Sequence, residues 1–234
     1  PVTGKVRHTY NTHGQKASES RLDSRSHWMT TRYTYVTDSA SGPVEGMMAG
    51  ANVISRPTTE SLWDGTEELS RKTFSFCLPS SSNQTLFRVS SVTETDIRSG
   101  SSLTTSYSYD RLGHLVERTD PYGIKTTYVW GYGGMYLVAE IVNRGLDDVG
   151  DIPGLSNIQN APLPGGLGNI EQTLRDSALD SVEVTTWDYL PLVGMIKTTD
   201  PSGRSVTYEY NGTGKLKSVR DDLGRLTDAY LYST

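Results

Sequence analysis

At 234 residues and 25.7 kDa the chain is long enough for one ordinary domain or two small ones, burying roughly 70% of its unfolded surface without metal or disulfide staples. Lys plus Arg total 22 against 27 Asp plus Glu, a net charge of -5, and the basic residues never cluster, which excludes a general electrostatic grip on nucleic acid. No apolar run approaches the roughly 18 residues of a membrane span, no charged-then-apolar signal segment opens the chain, and the lone Cys77 can form no internal disulfide and reads as a small buried hydrophobe. The start at Pro1 points to a piece of a longer polypeptide.

Tyrosine dominates the aromatics, 14 against 3 Phe and 4 Trp, beside 23 Gly, a balance that favours half-buried strands joined by tight turns. In residues 1–102 the pattern is a degenerate repeat. Tyr10-Asn11-Thr12-His13-Gly14 reads as a turn, and Tyr33 with Tyr35 forms an aromatic doublet. Residues 44–54 and 72–78 are expected as apolar strands, the second with Phe74 and Phe76 on one face. Segments 38–43, 79–84 and 98–102, rich in Ser, Gly and Pro, are expected as exposed turns.

Residues 103–142 form a more regular block. Tyr107 and Tyr109 are followed 21 positions later by Tyr128 and Trp130. Residues 143–184 break the rhythm with a Gly- and Pro-rich stretch, after which Asn169, with Gln172 three positions on, is expected to cap a short helix over 170–178 docked through Ile170 and Leu174. In the block 185–234 the doublets return: Trp187 and Tyr189, Tyr208 and Tyr210, Tyr230 and Tyr232, at intervals of 21 and then 22. All four segments are expected to form one continuous β structure. A self-similarity of this kind decides the architecture.

Between doublets the punctuation recurs. Asp110 precedes Gly113, Asp120 precedes Gly123, Asp200 precedes Gly203, Asn211 precedes Gly214 and Asp221 precedes Gly224, each by three residues. The Asx side chain opens a turn and Gly supplies the positive φ that closes it. Each interval therefore reads strand, turn, strand, turn, with a period of two inside the strands: Val206, Tyr208 and Tyr210 on one face, Ser205, Thr207 and Glu209 on the other. The expectation is an all-β fold of consecutive antiparallel hairpins. Its tyrosines are expected to be structural, stacked ring over ring across neighbouring strands, with hydroxyls reaching water or backbone.

The strings Tyr107-Ser108-Tyr109-Asp110-Arg111-Leu112-Gly113-His114-Leu115 and Tyr208-Glu209-Tyr210-Asn211-Gly212-Thr213-Gly214-Lys215-Leu216, with Asp222-Leu223-Gly224-Arg225-Leu226, resemble the YD-repeat of the Rhs and YD-repeat family, whose core is Tyr-Asp, two variable residues and Gly-Arg-Leu. The spacing around Trp130-Gly131-Tyr132 and Pro191-Leu192-Val193 is similar to the variant in secreted or surface proteins of Bacteroidetes. Asn211 departs from the pattern in place of Asp, Trp130 and Trp187 in place of Tyr, and His114 in place of Arg. The resemblance implies a curved or spiralling sheet, a segment of a shell wall, in an extracellular or outer-membrane-associated protein. It implies partners that are further repeats of the same polypeptide or another chain. The function it implies is non-enzymatic: scaffolding, enclosing or adhering to a partner, or forming the shell part of a polymorphic toxin.

Chemistry is sparse. His8, His13, His27 and His114 form no zinc pattern, no nucleophile elbow or phosphate-binding loop is present, and no cofactor or metal is expected. Asp120-Pro121 and Asp200-Pro201 read as turn punctuation rather than as a self-cleavage motif. The alternative to a structural role is a carbohydrate-binding surface, in which exposed Tyr and Trp, Trp130 and Trp187 foremost, stack on sugar rings and so bind surface glycans. Asp38-Ser39-Ala40, Asp176-Ser177-Ala178 and Asp180-Ser181-Val182 are similar to a short O-glycosylation sequon of exported Bacteroidetes proteins, making Ser39, Ser177 and Ser181 candidate sites.

Overall fold

A computed structural model describes residues 5–24, 26–38, 42–79, 86–150 and 182–232. The expected helix over 170–178 and the candidate glycosylation sites Ser39, Ser177 and Ser181 lie outside these residues. The strands make one antiparallel sheet in which spatial order follows chain order. They are β1 Val6–Tyr10, β2 Lys16–Leu22, β3 Trp28–Tyr35, β4 Pro57–Asp64, β5 Glu67–Cys77, β6 Arg88–Asp96, β7 Ser102–Tyr109, β8 Leu115–Thr119, β9 Lys125–Gly131, β10 Tyr136–Val142, β11 Glu183–Leu190, β12 Gly194–Thr199, β13 Ser205–Tyr210, β14 Leu216–Arg220 and β15 Leu226–Ala229. The chain divides into two compact units, Pro1–Gly113 with Asp120–Tyr122, and His114–Thr119 with Gly123–Thr234.

The hairpin turns follow the anticipated chemistry. At Asn211 the side-chain Oδ1 accepts the amides of Thr213 (3.0 Å) and Lys215 (3.0 Å), while Gly214 donates its amide to the Asn211 carbonyl (2.9 Å) with φ +74°. Asp221 repeats this with Leu223, Arg225 and Gly224, and Asn11 with His13, Gln15 and Gly14. The result is a type I turn closed by a left-handed glycine. One residue into the returning strand the register slips. Tyr10 faces Lys16 and Thr9 faces Ser18, Tyr189 faces Met195 and Asp188 faces Lys197, Tyr210 faces Leu216 and Glu209 faces Ser218. Ala17, Ile196 and Lys217 are thus bulged residues at equivalent places in the repeat.

In the first unit the core is Val36, Met48, Phe76 and Phe87, all buried, with Phe74 and Val89 packed around them. Met48 belongs to helix α1 (Pro43–Gly50). Residues 44–54 are therefore not a strand. Pro43 stands in the first helical turn with its φ preset, Glu45 is in the first turn, and Met47, Met48 and Ala49 favour helix over a period-two pattern. Asn52 (φ +57°) ends the helix. Its amide bonds to the Ala49 carbonyl and that of Val53 to Met48, a Schellman closure. Of the expected strand 72–78, residues 72–77 lie inside β5 and Leu78 follows its end.

In the second unit the core is Val129, Val138, Ala139, Ile141 and Val184 of β9, β10 and β11, with Tyr132 and, from the short helix α2 (Leu146–Gly150), Val149. Glu117 accepts the Leu146 amide at 2.7 Å where α2 begins.

Candidate functional site

The aromatic doublets occupy the strands that the repeat assigns them. Tyr107 and Tyr109 lie on β7, Tyr128 and Trp130 on β9, Trp187 and Tyr189 on β11, Tyr208 and Tyr210 on β13. Tyr230 and Tyr232 differ: they follow the end of β15 and are 43% and 45% exposed. The expected stacking of one doublet on the next does not occur. Each repeat contains two strands, so successive doublets are separated by an intervening strand and stand about 9.5 Å apart, too far for rings to meet.

In five of the six doublets the second ring instead reaches over the intervening strand and donates to its backbone. In the first unit Tyr35 Oη donates to the Lys16 carbonyl (3.0 Å) and Tyr109 Oη to that of Val89 (2.8 Å). In the second, Trp130 Nε1 donates to Leu115 (2.8 Å), Tyr210 Oη to Met195 (2.8 Å) and Tyr232 Oη to Leu216 (2.8 Å). For Lys16, Val89, Met195 and Leu216 the accepting residue is the one beside a bulge, where a ladder carbonyl is left to be satisfied by a side chain. Burial pushes the Tyr35, Tyr109 and Tyr210 hydroxyls above the ordinary phenol value of 10, keeping them donors. Trp130 tolerates the Tyr position because its indole N–H performs the same donation.

Tyr189 works differently. Tyr132 Oη donates to the Tyr189 carbonyl (3.0 Å) and accepts its amide (3.1 Å), while the Tyr136 and Tyr189 rings stack at 4.6 Å and Tyr132 meets both edge-on. These contacts hold Tyr132 at φ +54°, a conformation that L residues rarely adopt. Tyr132 and Tyr136 were not legible as site residues, because their partner lies 57 positions away for Tyr132 and is set by the pairing of β10 with β11.

Of the candidate sugar-stacking residues, Trp130 is half-buried with one ring face against His114 at 4.5 Å. Trp187 is half-buried on β11 opposite Thr198. They do not share a strand, and each presents a single ring. Cys77 is half-buried, and burial raises its thiol above the ordinary value of 9.0. Among the described residues no group of three or more His, Cys, Asp or Glu is placed to hold a metal, and no helix is long and apolar enough to cross a membrane.

A concave surface lies within the first unit, over β3 to β7. Two adjoining hollows of about 390 and 500 Å³ share Glu60, Lys72, Glu94 and Leu103. Register builds the row: Tyr33 faces Glu60, Glu60 faces Lys72, Lys72 faces Glu94, and Glu94 faces Leu103. Lys72 Nζ lies 2.8 Å from Glu94, and that hydrogen bond raises the Lys72 pKa above its ordinary 10.5. Glu60 acts on Lys72 through space and has no hydrogen bond or ion pair among the described residues. No sequence motif marks this surface, since its residues come together only through the pairing register.

Residues 88–135 and 194–226 match the family model described as RHS Repeat. These two stretches are similar to the YD/Rhs repeat. A comparison with curated proteins finds no match. Among solved structures, "Crystal Structure of TcdB2-TccC3-Cdc42" is similar over 97% of this chain and 12% of that one, at 14% identity and TM-score 0.42. "Crystal Structure of TcdB2-TccC3 without hypervariable C-terminal region" is similar over 97% and 11%, at 13% identity and TM-score 0.46. The pore form of the Photorhabdus luminescens Tc holotoxin is similar over 94% and 12%, at 12% identity and TM-score 0.40. The chain thus spans about an eighth of the length of the chains it resembles.

Proposed function

We propose that this YD/Rhs-repeat chain is a non-enzymatic structural and interaction segment of an exported or cell-surface protein, whose work is to present a sheet that encloses or adheres to a partner. The observation that carries the reading is the repeated clasp, in which an aromatic N–H or O–H of one strand closes on a backbone carbonyl of the strand before it. Residues that recur at each repeat are thereby committed to holding strands together and are withdrawn from chemistry. A sheet that grows strictly in chain order has β1 and β15 as its edge strands, and their outward backbone groups are templates for further repeats or another chain.

The test is hydrogen exchange on the native assembly and on the isolated 234-residue chain. Slow exchange of β1 and β15 amides in the assembly, turning fast in the isolated chain, is the expected result. Equally fast exchange in both, or catalytic turnover by the purified chain, would remove the reading.

A further inference from the structure

We propose that the hollowed face of the first unit, over β3 to β7, binds an extended basic polypeptide segment. This deepens the interaction role proposed above and rests on it. The row Tyr33, Glu60, Lys72, Glu94, Leu103 crosses five strands, about 19 Å at the usual strand spacing, the length of about six extended residues. Helix α1 covers the neighbouring part of this side of the sheet through Met48 and Phe76. Among the described residues the row itself has no such cover.

Its charge is net acidic. Glu60, Glu94 and Asp96 line the hollows against Lys72 and Arg71, and Arg71 is already tied to Glu68 by two hydrogen bonds of 2.8 and 2.6 Å. Lys72 neutralises one carboxylate of the row, leaving Glu60 with its acceptor capacity unused. Lys72 and Glu94 are 41% and 62% exposed at their side chains, so both are within reach of a ligand. Leu62, Leu103, Phe74 and Val92 supply an apolar floor, and Tyr107 a ring, at the same place.

Spacing narrows the partner. Glu60 and Glu94 are two strands apart, about 9.5 Å. A polyproline II segment advances about 9.3 Å in three residues, so cations at every third position meet both carboxylates while the intervening residues lie on the apolar floor. An extended segment of this kind has little chain entropy left to lose on binding.

The experiment titrates the full chain with a fluorescent nonapeptide of three Lys-Pro-Pro repeats, its Glu-Pro-Pro counterpart and a neutral linear oligosaccharide. The lysine peptide is expected to bind, the glutamate peptide and the sugar not to, and salt raised from about 50 to about 500 mM to weaken binding at least tenfold. Glu60→Gln should weaken it about fivefold and Glu60→Lys more than tenfold, with unchanged circular dichroism. Should Glu60→Lys not fold, the double variant Glu60→Gln with Glu94→Gln takes its place. Absence of lysine-peptide binding, equal affinity for all three probes, or binding indifferent to Glu60 overturns the inference. The scaffold reading, tested by edge exchange, stands or falls separately.

Discussion

Tyr210 and Tyr208 share a strand and a face, yet only Tyr210 reaches a carbonyl, donating to Met195 at 2.8 Å. A half-buried neutral hydrogen bond of this kind is worth roughly 1 kcal/mol net, and a ring of unchanged size isolates it. Tyr210→Phe is therefore expected to cost about 1 kcal/mol, lowering Tm by about 2–4 °C, while Tyr208→Phe stays within about 0.5 kcal/mol. Scanning calorimetry of the pair decides it; equal losses would mean that the hydroxyl plays no special part. The turn glycines divide in the same way. A Cβ at Gly214 meets nothing within 4 Å, so Gly214→Ala bears only the left-handed φ, about 1–2 kcal/mol. A Cβ at Gly113 also stands 2.8 Å from Leu86, and Gly113→Ala is expected to lose more, read as the difference in urea midpoints.

At the scale of elements, two short helices among the described residues pack side chains into the sheet's apolar clusters, α1 through Met48 and α2 through Val149. Met48 of α1 is fully buried against Val36, Phe76 and Phe87, so Met48→Ala should cost about 2–5 kcal/mol. The loss should appear as faster amide exchange in β3, β5 and α1; exchange unchanged in β5 would show that the helix is not what covers it. That helix also marks the limit of sequence reading. Turns were legible because Asx and Gly act locally, and strands because period two and the doublet spacing survive substitution of Tyr by Trp. Residues 44–54 misled because an apolar run has no period of its own, and Pro43 together with the Asn52 closure settles the matter only once Met48 has a core to enter. The ring contacts failed for a geometric reason: spacing along the chain gave the repeat, but two strands per repeat placed a backbone carbonyl beneath Tyr35, Tyr109 and Tyr210, and only Tyr189 found a ring, Tyr136, on the intervening strand. The row of Glu60, Lys72 and Glu94 is invisible until the register of three successive strands brings the side chains into line.

Over the whole molecule, every strand pairs with its chain neighbour, so cohesion is distributed over turns, clasps and cross-strand pairs rather than gathered in one deep core. Carboxylates are part of that distribution. The Ser99 amide holds Asp96 below the ordinary carboxylate range, the Ser202 hydroxyl does so for Asp200, and the Ser218 hydroxyl for Glu209. Glu19 is the extreme case: Lys16 at 2.8 Å and Arg21 at 2.6 Å bring it down from 4.5 to about 2. A carboxylate with a depressed folded-state pKa takes up its proton first in the unfolded chain. Its stabilising share is therefore complete above the unfolded value and disappears as pH falls through the folded one. For Glu19 that window runs from about 4.5 down to about 2. Urea unfolding of the native chain and of Glu19→Gln across this range should give curves that are separated above pH 4.5 and converge toward pH 2. A separation that persists undiminished at pH 2 would trace the effect of the substitution to packing rather than to the charge on Glu19.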